Sequence, residues 1–206
     1  MNVVYLIVCG AGPTMHAAGF VEAARASGWD CHVIATPTGA AFADLDALEA
    51  ASGHPVTTEH RKPGTPRRDR PNADAVVIAP ATANTICKLA AGIADTYALD
   101  VASEHIGLGI PTLVVPFANT ALTGRVPYLR ATATLTEEGV TFLELAEHEP
   151  HHGGPLAEQF PWHQAMTQAA KLAETRRSEP EPTATSWSGP AEPPPTSNTH
   201  ELPESR

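Results

Sequence analysis

The chain has 206 residues, 42% of them hydrophobic, and a formal net charge of −10. That length suits one α/β domain with a sizeable core, and the acidic balance excludes a surface built for non-specific nucleic-acid binding. No stretch reaches the roughly 18 uninterrupted apolar residues of a membrane span, and the first nine residues lack the basic lead of a secretory signal. Cys9, Cys31 and Cys87 are too widely spaced for a disulfide framework or a zinc site. The expectation is a cytoplasmic protein with no resident metal and no nucleic-acid or membrane partner.

Asn2 to Cys9 is rich in Val, Leu and Ile and predicts a first buried strand. Gly10-Ala11-Gly12-Pro13 turns the chain, and Ala17, Phe20, Val21 and Ala24 recur at helical spacing until Gly28. A second strand is expected over Cys31 to Thr36, then a helix near Ala40 to Ala51. This βαβα opening marks a parallel sheet with right-handed crossovers. Trp29, just past the helix stop, reads as a surface or interface anchor. His54 to Pro71 is polar and Pro-rich, with at most a short strand near Val56. It holds five basic residues from Arg61 to Arg70, which read as a solvated loop or an anionic-substrate contact.

Ala75 to Ala79 is a continuous apolar run, as in a strand buried on both faces. A helix comes next with Ile86, Leu89, Ala90 and Ile93 on one side, and another over Thr96 to Glu104. Ile110 to Val115 predicts a strand, Val126 to Glu138 a helix stopped by Gly139, and Val140 to Leu145 a last strand. Glu147 to Gly154 is a loop whose His151-His152 pair lacks carboxylates at ligand spacing. Leu156 to Ala173 predicts a terminal helix, with Trp162 covering a neighbouring element. Residues 1–175 form the folded domain in this reading. Residues 176–206, rich in Pro, Ser, Thr and Glu, have too little apolar content to order, and Trp187 there is a candidate docking residue.

The chemistry gathers at the expected carboxyl ends of four strands: Gly10 to Gly12, Thr36 to Gly39, Pro80 to Thr85, and Pro116 to Asn119. Open α/β sheets bind ligands at that end. The Gly10-Ala11-Gly12 turn is only a partial dinucleotide fingerprint. Thr36 stands where a ribose-binding acid is expected, which argues against NAD. A phosphate at this turn, with Thr36 and Thr38 adding hydroxyls, fits better. Small residues along Pro80-Ala81-Thr82-Ala83-Asn84-Thr85 let the backbone approach a flat ligand, and Thr82, Asn84 and Thr85 supply polar groups. Cys9 and Cys87 read as small packing residues.

These motifs resemble the flavin-containing cysteine decarboxylases. The family's PASANT motif is PATANT here, Pro80 to Thr85. Lys88, Gly92, Ala94 and Asp95 match the family's pattern on its carboxyl side, and Thr96 departs from it. The family's PxMN motif is Pro116-Phe117-Ala118-Asn119, with Ala in place of Met, and Gly139-Val140-Thr141-Phe142 resembles its closing strand. The resemblance covers roughly residues 2 to 145. It implies a doubly wound, Rossmann-like parallel sheet in a flavodoxin-like three-layer sandwich. It implies FMN between subunits of a homo-oligomer, a trimer or a dodecamer. The phosphate would rest on Gly10, Ala11 and Gly12 near Thr36 and Thr38, and the ring on Pro80, Ala81, Thr82, Asn84 and Thr85. In such enzymes flavin oxidises a cysteine-derived thiol, the thioaldehyde loses carbon dioxide, and an enethiol remains. Asn119 matches the Asn that holds the substrate carboxylate.

The departures point elsewhere. The family's active-site His falls at or beside Pro66 here, next to Arg67 and Arg68; His60, about six positions early, serves only if the loop folds back. The Met and Trp after the PxMN Asn are missing, and no Cys follows Cys87. An enzyme acting on a small thiol or a peptide's terminal Cys, with Arg67 or Arg68 and Asn119 on a carboxylate, is one expectation. A non-catalytic FMN-binding accessory protein is the alternative. A flavin prenyltransferase is a third reading, set back by the absence of a Gly-Ala-Ser-Gly opening.

Overall fold

The computed structural model describes residues 1–64 and 70–178. Residues 179–206 of the tail, Trp187 among them, lie outside the described residues, as do Pro66, Arg67 and Arg68. In chain order the elements are β1 (Asn2–Val8), a 3-10 turn (Gly12–His16), α1 (Ala18–Ala26), β2 (Trp29–Ala35), α2 (Pro37–Phe42), α3 (Leu45–Ser52), β3 (Ala75–Ala81), α4 (Ala83–Ala90), α5 (Tyr97–Gly107), β4 (Thr112–Pro116), α6 (Thr120–Thr123), α7 (Val126–Glu137), β5 (Thr141–Phe142), α8 (Gly154–Glu158) and α9 (Trp162–Ser178). The sheet is parallel throughout, in the order β2-β1-β3-β4-β5. That is the doubly wound flavodoxin-like order, with its switch point between β1 and β3.

Helices cover both faces because the strands are apolar on both faces. Along β1, Val4, Leu6 and Val8 point to one side, where Phe20 of α1, Leu48 of α3 and Met166 of α9 close the core. Val3, Tyr5 and Ile7 point to the other, against Ile86 of α4, Leu99 of α5 and Leu135 of α7. The alternation repeats in β3, with Ala75, Val77 and Ala79 on the first side and Val76 and Ile78 on the second. Segment 54–57 runs along the free edge of β2. Thr57 N–H donates to Val33, and Ala35 N–H donates to Thr57.

Several elements differ from expectation. The helix over Ala40 to Ala51 is two, because Asp44 turns extended and its carboxylate caps α3 by accepting the Ala47 N–H at 3.0 Å. Pro161 divides the terminal helix into α8 and α9, and α9 runs on to Ser178. Ile93 lies beyond α4, which ends before Gly92 at φ 67°, and is exposed. The last strand is only Thr141–Phe142, paired with Leu113 and Val114 of β4, and Leu143 N–H donates to the Val114 carbonyl as the chain leaves the sheet. Trp29 is the clearest correction. As the first residue of β2 it points into the core and is 6% exposed. Trp162 does cover a neighbour, its indole lying against Gly19 of α1.

Phe20 is fully buried in the α1–α9 layer. Phe20→Ala should lower the unfolding free energy by about 3–5 kcal/mol, measured by urea denaturation. A loss below about 1 kcal/mol would mean that this layer does not hold the sheet.

Candidate functional site

At the carboxyl ends of β1 and β3 a crevice of about 320 Å³ opens, lined by Gly10, Thr36, Pro37, Thr38, Thr82, Asn84, Thr85, Lys88, Thr96 and Leu99. Six of the expected cofactor residues meet there: Gly10, Thr36, Thr38, Thr82, Asn84 and Thr85. The other four stand behind its wall. Ala11 is buried, and Gly12 faces Ala157 of α8. Pro80 and Ala81 are strand residues, buried in β3. The volume is at the low end for small-molecule pockets, so the crevice covers only part of a ligand the size of a flavin nucleotide.

The local backbone explains the shape. A Cβ on Gly10 would lie 2.3 Å from Thr38 Cγ2, and one on Gly39 would lie 2.3 Å from the Val8 carbonyl oxygen. Glycine at both positions lets the β1 turn and the start of α2 touch. Thr36 caps α2, its hydroxyl accepting the Gly39 N–H at 2.9 Å. Thr82 caps α4 in the same way, accepting the Thr85 N–H at 3.2 Å.

A hydroxyl chain crosses the switch point. Thr85 Oγ1 donates to Cys9 Sγ at 3.3 Å, so the hydrogen between Thr82 and Thr85, whose oxygens are 3.0 Å apart, comes from Thr82. Thr14 Oγ1 donates to the Cys9 carbonyl. Burial pushes the Cys9 thiol above its ordinary range, and that outweighs the Thr85 hydrogen bond, which pulls it down. Cys9 therefore packs and ties the crevice together, and it does not act as a thiolate. Burial pushes Cys31 up as well. Lys88 reaches the crevice from α4 and pairs with Asp95 at 2.5 Å.

The Asn119 region lies on the far side of β3. Ala81 pairs with Pro116, so the ends of β3 and β4 are neighbours. Asn119 caps α6, its Oδ1 accepting the Leu122 N–H at 3.2 Å. Thr120 N–H donates to the His148 carbonyl, which brings the loop after β5 across this corner. The His148 ring tilts over Phe117 at 4.8 Å, its Nδ1 is 3.0 Å from the Glu149 carbonyl, and its Nε2 is buried with no partner among the described residues. An Nδ1–H bonded to that carbonyl leaves Nε2 as the lone-pair nitrogen. Phe117, Tyr128, Phe142, Glu147 and His148 line an adjoining cavity of about 710 Å³. No local motif marks His148, since only the β5 connection places it here. His60 stands apart from this corner, edge-on to the Tyr97 ring at 5.2 Å.

Residues 2–174 match the model of the flavoprotein family. The chain belongs to that family. It is 30% identical over 126 residues to the coenzyme A biosynthesis bifunctional protein CoaBC of Bacillus subtilis, and it spans only 30% of that protein's length. Among solved structures it is similar to TvaF, an FMN-dependent cysteine decarboxylase from thioviridamide biosynthesis, at 21% identity and a TM-score of 0.67, covering 84% of this chain and 99% of that one. The cypemycin decarboxylase CypD is similar at 18% identity and 0.65, covering 86% and 96%. MrsD from a Bacillus species gives 20% and 0.64, covering 84% and 96%. At these identities the structures support the three-layer fold.

Two outcomes check this geometry. Gly10→Ala should destabilise the chain by about 1–3 kcal/mol through overpacking, with part of the loss recovered when Thr38→Ala is added; an unchanged melting curve would refute the close approach. Alkylation of the folded chain, with mass mapping of the products, should label Cys87, which is only partly buried, and spare Cys9 and Cys31. Equal labelling of all three would contradict the burial described above.

Proposed function

We propose that the chain binds FMN in the Gly10–Thr85 crevice and carries out a flavin-dependent oxidative decarboxylation of a cysteine-derived thiol or a peptide's terminal Cys. The observation that carries this reading is the crevice itself. It gathers Gly10, Thr36, Thr38, Thr82, Asn84 and Thr85 at the point where the sheet reverses its winding, with the Gly10 turn packed closely against Thr38. These residues suit FMN: the Gly10 turn with Thr36 and Thr38 would hold the phosphate, and Thr82, Asn84 and Thr85 would meet the ring edge. Bound there, the flavin supplies a two-electron acceptor for the thiol's carbon. Asn119 holds the substrate carboxylate through its side-chain amide, which also fixes the scissile bond relative to the crevice. The cavity between Phe117 and Phe142 takes the body of the substrate, and His148 Nε2 accepts a hydrogen bond from it.

The crevice is open, so a second copy of the chain completes it in this reading. Leu122, Val126 and Leu129, around the α6–α7 junction, and Ile93 beyond α4 are exposed apolar side chains suited to such contacts. A trimer, alone or in a dodecamer, is the assembly that the family resemblance implies. Among the described residues no helix is long and apolar enough to cross a membrane.

One observation favours the accessory-protein reading. No Met or Trp comes after Asn119 as in the family motif. The two readings separate experimentally. Purified protein should show flavin absorbance and release FMN on heating. With a cysteine-terminated peptide it should yield a product lacking carbon dioxide and two hydrogens. Asn119→Ala should cut turnover by at least about tenfold, the equivalent of roughly 1.4 kcal/mol, with bound flavin retained. A flavin-loaded protein inert toward thiols would leave the accessory role, and a protein that refuses FMN would remove both.

A further inference from the structure

Asp30, His32 and His54 form a second cluster, on β2 and the segment beside it. Asp30 and His32 are two residues apart on one strand and so share a face. The edge pairing of Thr57 with β2 brings His54 alongside them. Ser52 holds the His54 backbone, its hydroxyl donating to the His54 carbonyl at 3.0 Å and accepting the His54 N–H at 3.1 Å. His32 Nε2 is 3.1 Å from one Asp30 carboxylate oxygen, and His54 Nε2 is 2.7 Å from the other. All three donor atoms lie within 4.8 Å of one another.

We propose that this cluster is a binding site for a divalent transition-metal ion. Two imidazole nitrogens and one carboxylate are the ligands that suit Zn²⁺, Co²⁺, Ni²⁺ or Cu²⁺, whereas Mg²⁺ and Ca²⁺ prefer all-oxygen shells. A tetrahedral ion with bonds of about 2.0–2.1 Å needs donors roughly 3.3 Å apart; the two His–Asp spacings, 3.1 and 2.7 Å, fall a little short of that, and no donor pair exceeds 4.8 Å. Two adjustments are required. Each Nε2 donates its hydrogen to the Asp30 carboxylate, so the ion replaces those two protons. The rings also stack at 4.0 Å with 16° between their planes, and one must turn for both nitrogens to reach a common ion. His54 can make the turn that converges them, since its side chain is 34% exposed while that of His32 is 9% exposed. Water on the exposed side completes the coordination. The ion would bind segment 54–57 to the sheet edge, a structural role consistent with donors drawn from both. Thr36 ends β2's path to the crevice six residues beyond Asp30, roughly 20 Å along the strand. The site therefore stands or falls independently of the flavin reading.

The test uses the full chain without an affinity tag. Titration with Co²⁺ or Zn²⁺ should show one equivalent bound, with a raised melting temperature and, for Co²⁺, visible absorption bands of a four-coordinate ion. Mg²⁺ should do neither. His54→Ala and Asp30→Asn should each weaken binding at least about tenfold, while the double variant His151→Ala/His152→Ala should bind as the native chain does. Without any substitution, Zn²⁺ should protect His54 from carbethoxylation in mass mapping. Absence of stoichiometric binding would overturn the proposal. So would binding that survives His54→Ala or disappears when His151 and His152 are replaced.

Discussion

The reversal of winding between β1 and β3 is the constraint on which the rest of the molecule depends. Chain leaving β1 turns toward β2 and covers one face, and chain leaving β3 turns toward β4 and covers the other. The two exits cannot share the space between them, so a gap forms at the carboxyl ends. Gly10 and Gly39 let the β1 turn pack against the start of α2, which forms one side of the gap. Cys9, Thr82 and Thr85 bridge its floor. Any ligand for this fold must accept that width and that lining.

The strands are legible in the sequence because a sheet covered on both faces needs apolar residues at every position, and Asn2 to Cys9 and Ala75 to Ala79 supply them without a break. PATANT is legible for a different reason. A capping Thr three residues before a second hydroxyl is a local device, and its geometry is set by Thr82 and Thr85 alone. Breaks inside helices are less visible. Asp44 competes as a cap against a continuous helical pattern, and which side wins depends on packing that the local sequence does not contain.

Features made by distant residues stay hidden altogether. His148 reaches Phe117 only because β5 stops after two residues and the loop after it crosses the end of β4. His54 meets Asp30 and His32 only because segment 54–57 runs along the β2 edge. Trp29 resembles a surface anchor because it adjoins Gly28. The turn is where its spacing puts it, yet the strand begins at once and its first side chain faces inward. No spacing rule captures such contacts, since they arise from the sheet order.

The capping hydroxyls also give the crevice a direction. Thr36 accepts a backbone N–H and keeps its own hydrogen to offer. Thr82 and Thr85 have already given theirs, one to the other and the next to sulfur, so they present lone pairs. The Thr36 hydroxyl thus offers a hydrogen, while the Thr82 and Thr85 hydroxyls offer lone pairs beside the Asn84 amide and the Lys88 ammonium. The two sides of the slot therefore differ in what they present, and a ligand with unlike ends meets unlike partners.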